Sequence, residues 1–118
     1  MNAVYEKITD NISVTVETAY LDEQSRPDDH HFVWAYRVRI HNKGGDTVQL
    51  RTRYWRITDS NGHVKEVEGD GVVGEQPTLK PGESFEYTSG TPLNAPGGIM
   101  LGTYKMAKPN GEFFSVEI

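Results

Sequence analysis

Glycine and proline interrupt the second half of the chain so often that no helix of ordinary length fits there. After Gly62, the longest stretches free of both residues are only seven residues long, at 83–89 and 112–118. Glycine and proline are the two residues that most disfavour a helix interior. Side chains that favour strands also dominate, because Val, Ile and Thr number 27 against 10 for Ala and Leu. The chain is therefore predicted to be built from short β-strands.

Alternation of apolar and polar side chains locates these strands. The clearest run is Phe32, Trp34, Tyr36, Val38 and Ile40 on one face, and similar runs follow 12–20 and 48–54. Shorter strands are expected at 63–68, 84–89, 99–107 and 112–118, separated by turn signals at 42–46, 60–62 and 109–111. The segment 21–31 is predicted to be an exposed loop. About seven antiparallel strands indicate an all-β sandwich of the immunoglobulin or fibronectin type III kind.

The segments 32–42 and 47–57 are predicted to form a hairpin with Ile40 opposite Val48. The side chains expected to be buried are Trp34, Tyr36, Val38 and Leu50. This register places Arg37 opposite Arg51, which is unfavourable for two like charges. It also turns Trp55 and Ile57 outward, so they either form an exposed apolar patch or return to the core through a β-bulge near 53–55. We expect the bulge, because an exposed Trp is unfavourable.

Length and charge exclude several classes of protein. A chain of 118 residues fits one domain, 1–118, and the absence of cysteine excludes disulfide scaffolds, thiolate metal sites and cysteine nucleophiles. A net charge of −5 argues against nucleic acid and against anionic membrane surfaces. Neither a leader peptide nor a membrane-spanning run is evident, so we expect a cytoplasmic location. No motif calls for a cofactor.

A set of spaced residues across most of the chain resembles the ApaG family. The matching positions include Arg53, Trp55, Ile57 and Asp59, the glycines of 69–74, Pro77, Leu79 and Pro81, then Phe85, Tyr87, Gly102, Tyr104 and Met106. The resemblance implies a fibronectin type III-like fold and a link of bacterial members to cobalt and magnesium resistance or efflux. Related domains in eukaryotic F-box and polymerase-interacting proteins imply a binding module with a protein partner.

The string Gly69-Asp-Gly71-Val-Val-Gly74 has the GxGxxG spacing of a dinucleotide-binding loop. Such a loop must lead into a helix, and Pro77 and Pro81 exclude one here. A glycine-rich crossover loop is the interpretation we favour, and at least one of the three glycines is expected to have a positive φ. A backbone nest for a phosphate-containing anion is the functional alternative.

Arginines form a basic strip between residues 37 and 56. Arg51 and Arg53, together with Arg37 and Arg39, would share one face in the register above, and guanidinium groups suit phosphate or carboxylate. The alternative that we favour is a solvated outer face whose charges are balanced by acids on neighbouring strands, such as Glu17.

Two further clusters could bind a metal ion, and neither has persuasive spacing. Glu66, Glu68 and Asp70 would project from one side of a strand as oxygen ligands for magnesium, but a charged edge strand is the interpretation we favour. His30 and His31 are adjacent and would point apart on a strand, which suits a hydrated loop better than a chelate. No metal site and no catalytic residue is predicted.

Two functional hypotheses follow. The first is a non-catalytic interaction module with a protein partner. The second is a domain that binds phosphate, pyrophosphate or a nucleotide, with a metal-dependent hydrolase as its catalytic version. Its anion would be held at Gly69, Gly71 and Gly74, with help from Arg51 or Arg53.

Overall fold

The computed structural model describes residues 3–93 and 95–118 and confirms the all-β sandwich. Within these residues there are nine strands, two more than expected: β1 (Ala3–Thr9), β2 (Ile12–Tyr20), β3 (Phe32–Asn42), β4 (Val48–Asp59), β5 (Val64–Asp70), β6 (Thr78–Leu79), β7 (Ser84–Leu93), β8 (Gly98–Ala107) and β9 (Phe113–Glu117). One antiparallel sheet has the order β1-β2-β3-β7 and the other β5-β4-β8-β9, with β6 paired to the start of β4.

The segment predicted to be a loop contains two short 3-10 helices, Asp22–Gln24 and Pro27–Asp29. In the described part of the chain, no helix is long and apolar enough to cross a bilayer.

The first strand was missed by the sequence analysis because it alternates weakly. β1 pairs with β2 from Thr9 opposite Ile12, across a two-residue turn. Asp10 and Asn11 in that turn have φ values of 49° and 66°. Asp and Asn tolerate this left-handed conformation, and two positive φ values give a turn whose twist matches that of the two strands.

The predicted hairpin between 32–42 and 47–57 is wrong. β3 lies between β2 and β7, and β4 lies between β5 and β8, so Ile40 and Val48 are in different sheets. The buried side chain of Asn42 shapes the connection into a crossover: its Nδ2 donates to the carbonyls of Asp46 (2.7 Å) and Leu79 (3.0 Å), and its Oδ1 accepts from Gly44 N–H (3.0 Å). The two apolar faces therefore meet across the sandwich.

The prediction of burial on these strands was largely right. Val38 and Leu50 are buried, Trp34 and Tyr36 are half-buried, and Arg37 is exposed. Arg37 faces Glu17 of β2 rather than Arg51, so the opposition of like charges does not arise.

A bulge does return Trp55 and Ile57 to the core, although it lies earlier than predicted. The pairing of β4 with β8 shifts between Leu50 and Thr52, leaving Arg51 as the extra residue. Beyond the bulge, Arg53 pairs with the fully buried Tyr104, so its side chain shares the inward face with Trp55.

The predicted crossover loop at 69–74 is wrong: Gly69 and Asp70 end β5, and a tight turn at 71–75 begins the connection to β6, which pairs with β4 as β5 does. Gly71 and Gly74 have φ values of 65° and 81°, which confirms the expectation of a positive φ among the three glycines. Val72 and Glu75 exchange backbone hydrogen bonds of 2.8 and 2.9 Å across the turn. A Cβ at Gly71 would overlap the backbone carbonyl of Glu75, whereas one at Gly74 would meet open space.

We therefore expect Gly71→Ala to lower the free energy of unfolding by about 2 kcal/mol or more, because it combines backbone strain with a steric clash. Gly74→Ala, which adds strain alone, should cost about 1–2 kcal/mol. Gly45→Ala is the control, since Gly45 has neither a positive φ nor a neighbour within 4 Å of the added Cβ. Urea denaturation measures all three, and equal midpoints for Gly71→Ala and Gly45→Ala would contradict the prediction.

Candidate functional site

The two sheets pack tightly at one end of the sandwich and leave a cleft between them at the other. The closed end contains Ile40, Val48, Leu50, Leu79, Met106 and Val116, all buried. The inter-sheet cleft has a volume of about 890 Å³ and opens between the inward faces of β3, β4 and β8. Its aromatic walls are Trp34 and Tyr36 on one sheet and Trp55 on the other, with Ile57 and Met100 beside them.

Trp55 links the closed end to the cleft. Its ring lies 6.5 Å from that of Tyr104, edge to face, and 5.6 Å from that of Tyr36. Gly102 is directly opposite Trp55 on β8, and a Cβ there would lie 3.0 Å from the indole ring. The absence of a side chain at Gly102 therefore lets the indole lie over the strand and form the floor of the cleft.

Two polar atoms in the walls of the inter-sheet cleft are buried without a hydrogen-bond partner in the described part of the chain. They are Nε1 of Trp34 and Oγ1 of Thr91. Buried polar atoms are nearly always hydrogen-bonded, because leaving one unpaired costs about 1–3 kcal/mol. An indole N–H can only donate, whereas a hydroxyl can donate or accept. The pair therefore suits a guest that carries a carbonyl or a hydroxyl group.

A smaller recess of about 260 Å³ joins the cleft on the side of β5 and β7. We call this cavity the polar recess. Its polar lining residues are Tyr36, Arg53, Lys65, Tyr87, Ser89 and Thr91. Lys65 points inward because it is paired with Ile57 on the inward face of β4. No carboxylate lines the recess among residues 3–93 and 95–118, so its two cations give it a positive potential.

The loop at 69–71 holds the guanidinium of Arg53. Its Nη1 donates to the carbonyls of Asp70 (3.2 Å) and Gly71 (2.7 Å). Gly69 is opposite Arg53, and a Cβ at that position would lie 3.0 Å from Nη1. Gly69 therefore leaves the space that the guanidinium fills, and the remaining donors of Arg53 stay available to a guest.

The hydroxyls of Tyr87 and Tyr104 form a hydrogen bond where the closed end meets the polar recess. Burial raises the pKa of Tyr87 to about 12. Burial and the neighbouring Tyr87 also raise the pKa of Tyr104. Both phenols are therefore neutral at pH 7, and they can share hydrogen bonds with a guest or with each other but are poor proton acceptors.

The structure brings together some of the predicted anion-binding residues and separates others. Gly69, Gly71 and Arg53 meet at the rim of the polar recess. Arg51 contributes through its carbonyl, which accepts from Gly71 N–H (2.9 Å), while its side chain is exposed. Gly74 is exposed in the tight turn.

The basic strip and the acidic run lie on different strands. Arg37 pairs with Glu17 (2.7 Å) and Arg39 with Glu86 (3.7 Å), so acids on neighbouring strands balance part of the basic strip. The acids Glu66, Glu68 and Asp70 lie on β5, at the edge of its sheet. Across the described residues, no group of three or more His, Asp or Glu side chains could hold a metal ion.

Sequence reasoning missed Lys65, Ser89 and Thr91 as site residues. The signal for Lys65 was present, since Lys65 and Val67 share the side of β5 opposite the three acids. Ser89 and Thr91 continue the alternation of Phe85 and Tyr87, but the predicted strand ended at Ser89 and small polar side chains gave no reason to extend its inward face.

Comparison with known proteins gives one family. Residues 22–108 match the family model described as the ApaG domain. Protein ApaG of Parvibaculum lavamentivorans is 60% identical over 115 residues, which are 98% of this chain and 88% of that protein. Protein ApaG of Rhodospirillum centenum is 58% identical over 115 residues, again 98% of this chain and 88% of that protein. A crystal structure of a Bordetella pertussis protein superposes with a TM-score of 0.89 at 50% identity, covering 91% of this chain and 87% of that one.

The raised tyrosine pKa values predict a loss of stability at alkaline pH. The unfolded chain releases tyrosine protons near pH 10, whereas folded Tyr87 keeps its proton to about pH 12. The contribution of neutral Tyr87 to the free energy of unfolding is therefore complete below pH 10 and is lost as the pH rises towards 12. Each retained proton adds a slope of up to about 1.4 kcal/mol per pH unit.

Urea titrations from pH 8 to 11 measure this effect. The double variant Tyr87→Phe/Tyr104→Phe should lose stability less steeply than the parent above pH 10, and the two should run parallel below pH 9, which is the internal control. Parallel behaviour over the whole range would show that neither phenol is protected.

Proposed function

The chain belongs to the ApaG domain family, and we propose that it is a non-catalytic binding module whose inter-sheet cleft receives an apolar part of a protein partner. One observation carries the proposal. The cleft has aromatic walls, and it leaves Trp34 Nε1 and Thr91 Oγ1 buried without partners among the described residues. An apolar guest with a polar group would bury the aromatic walls and satisfy those two atoms together.

The side chains around the cleft support binding better than turnover. Tyr104 lies beside Trp55 at the floor and is hydrogen-bonded to Tyr87, and a raised pKa makes both phenols poor general bases at neutral pH. Apart from Glu6 and Lys7 on β1, the lining side chains are indole, phenol, aliphatic and hydroxyl groups, which hold a guest without activating a nucleophile. We place this module in the cytoplasm. In this scheme, the link to cobalt and magnesium handling that the family resemblance implies would act through the partner.

Filling the inter-sheet cleft should abolish binding. Thr18 lines the cleft from β2, whereas Thr15 on the same strand alternates to the outer face. Thr18→Phe should weaken the binding of the neutral dye Nile red by about tenfold, which is 1.4 kcal/mol, while the matched control Thr15→Phe should bind within about twofold of the parent. The only two tryptophans of the chain, Trp34 and Trp55, both line the cleft, so quenching of their fluorescence reports occupancy directly.

The same pair of variants tests the partner. A protein that co-purifies with the parent from cytosol should be lost with Thr18→Phe and retained with Thr15→Phe. Equal dye binding and equal capture by both variants would refute the cleft as the binding site.

A second candidate function is binding of a phosphate-containing anion in the polar recess. The observation that favours it is the pairing of Arg53 with Lys65 in a recess lined by hydroxyls and by no described carboxylate. The anion would contact the free donors of Arg53 next to Gly69 and Gly71, with Lys65 opposite. Gly74 and Arg51 would lie at the outer rim. In the catalytic version of this second candidate, the domain would hydrolyse such an anion with the help of a bound metal ion.

Pyrophosphate is the probe for the anion site. Its affinity should fall as salt rises from 50 to 500 mM, because exposed charge pairs are screened. Lys65→Gln should weaken it by about fivefold, since one charged contact contributes about 1 kcal/mol. Lys80→Gln, which removes an exposed lysine away from the recess, is the matched control. Equal affinity of the two variants would exclude the recess.

Release of phosphate from pyrophosphate or nucleoside triphosphates in the presence of magnesium, manganese or cobalt decides between binding and turnover. We expect none. Turnover that disappears in Arg53→Gln would replace the binding-module proposal with the hydrolase.

A further inference from the structure

The outer edge of β7 is unpaired. β7 pairs with β3 on one side, and in the described part of the chain no strand pairs with its other side. An unpaired row of N–H and C=O groups is a template for another strand. This edge is remote from both ends of the described chain, because β1 and β9 lie at the opposite margins of the two sheets and are joined to each other by Lys7 and Glu117 (3.3 Å).

The ladder with β3 fixes the direction of the backbone groups of β7. Asn42 N–H donates to the carbonyl of Glu83 (3.0 Å), and the register of the two strands has no shift from there to Leu93. Hydrogen-bonded pairs recur at every second residue of an antiparallel ladder, so the odd-numbered residues of β7 bond to β3. The residues whose N–H and C=O groups point to the free edge are therefore Glu86, Thr88 and Gly90. Pro92 belongs to the same set, so the N–H that it lacks would have had no partner.

The free edge of β7 borders the polar recess. Tyr87, Ser89 and Thr91 line the recess from the inward face of β7, and the exposed Gly90 lines it as well. Directly opposite residues of an antiparallel pair point their side chains to the same face. A strand added at this edge would therefore turn every second side chain towards the polar recess and the others to the outer face.

The polar recess contains two cations without a counter-charge. Neither Arg53 nor Lys65 forms an ion pair with a described carboxylate, whereas Arg37 on the outer face is paired with Glu17. Arg53 is half-buried, so its charge is only partly solvated. Oγ1 of Thr91, which also lines the recess, is buried without a partner among the described residues. A carboxylate is the acceptor that all three groups lack.

We propose that the edge of β7 at 86–90 is a strand-addition site, which binds an extended acidic segment of a partner protein antiparallel to β7 and takes one of its carboxylates into the polar recess. This inference rests on the proposed function and specifies its partner. Main-chain hydrogen bonds to Thr88 would fix the register, and the carboxylate would lie between Arg53 and Lys65. Apolar side chains on either side of the acid would pack against the valines that line the recess.

The sequence of β7 leaves its edge less protected than the edges of β5 and β1. Charged side chains on an edge strand discourage the addition of another strand. The exposed acids of β5 are Glu66, Glu68 and Asp70. In contrast, the stretch 84–91 of β7 contains Glu86 as its one charged residue. β1 borders β9, to which it is tied by Glu117 N–H donating to Oγ1 of Thr9 (3.4 Å).

The acidic character of the segment distinguishes it from a second copy of the chain. In antiparallel addition, a second copy would turn inward Tyr87 from its own β7, Lys65 from its own β5 or Lys7 from its own β1. None of these side chains brings a carboxylate to the recess, and either lysine would add a third cation. A helix has no free backbone groups along its length to pair with Thr88. The occupant is therefore an extended segment with an acidic residue at an inward position.

Synthetic peptides test the proposal on the intact chain. The probe is a capped heptapeptide in which Thr alternates with Val, Glu and Val, and its counterpart carries Gln in place of Glu. Two further versions of the probe carry N-methyl groups on complementary sets of alternate amides. In calorimetry, the Glu peptide should bind about fivefold more tightly than the Gln peptide, because only a carboxylate neutralises the recess. One N-methylated peptide should bind about tenfold more weakly than the probe, because its donors towards β7 are lost, and its complement should lose less.

Hydrogen exchange and matched variants locate the peptide. The probe should slow exchange at the N–H groups of Thr88 and Gly90, whereas Tyr87 N–H is already bonded to β3 and is the internal reference. Lys65→Gln should remove the preference for the Glu peptide. Lys80→Gln, which removes an exposed lysine away from the recess, should retain that preference.

Several results would overturn strand addition at β7. These are equal binding of the Glu and Gln peptides, no binding of the probe at millimolar concentration, and protection of β5 or β1 that spares Thr88. Equal binding of both N-methylated peptides, with a preference for Glu that depends on Lys65, would show that the recess takes a free anion without an added strand. Protection of Thr88 that depends on protein concentration without peptide, with a dimer in sedimentation, would replace the acidic segment with a second copy.

The outcomes separate this inference from the proposed function. If Thr18→Phe weakens Nile red binding while the Glu and Gln peptides bind equally, the cleft is a binding site and the edge of β7 is not. If Thr18→Phe leaves dye binding unchanged while the probe protects Thr88 and its affinity depends on Lys65, the acidic segment binds without the cleft.

Discussion

One extra residue in β4 determines which side chains the second sheet turns inward. Arg51 is accommodated as a bulge between Leu50 and Thr52, and the alternation of the strand changes phase at that point. Without the bulge, Thr52, Tyr54 and Arg56 would continue the inward face begun by Leu50. With it, Arg53, Trp55 and Ile57 face the other sheet, so the polar recess and the floor of the inter-sheet cleft both exist because of this shift.

The same bulge explains how a charged side chain is tolerated at the margin of the core. Arg53 is paired with the fully buried Tyr104, yet its Nη1 reaches two carbonyls of the loop that follows β5. Those carbonyls are within reach because Gly69 has no side chain and Gly71 adopts a positive φ. The glycine motif thus has a structural role towards Arg53 that its resemblance to a nucleotide-binding loop does not indicate.

The sequence predicts well which segments are strands and which side chains face inward. It predicts poorly which strands pair with each other. Alternation fixes which residues of β3 and β4 point inward, but not whether the two strands pair side by side or face each other across a sandwich. Asn42 supports that choice, because its amide bonds two backbone groups of the crossover and the carbonyl of Leu79 on β6. Hydrogen bonding by a single residue of this kind has no periodic signature. The need for a bulge was predictable, because Trp55 and Ile57 had to be buried, but its position at Arg51 was not.

The hydrogen bond between Tyr87 and Tyr104 marks where the sandwich changes from closed to open. It joins β7 of one sheet to β8 of the other, with both phenols kept neutral by burial. On the closed side, aliphatic side chains of both sheets interdigitate. On the open side, Trp55 and Tyr36 are the aromatic contact between the sheets, and both rings also line the polar recess. A guest that moved either ring would therefore change the shape of the cleft and of the polar recess together. Because the closed end contains most of the buried core, the open end can keep Trp34 Nε1 and Thr91 Oγ1 without partners among the described residues.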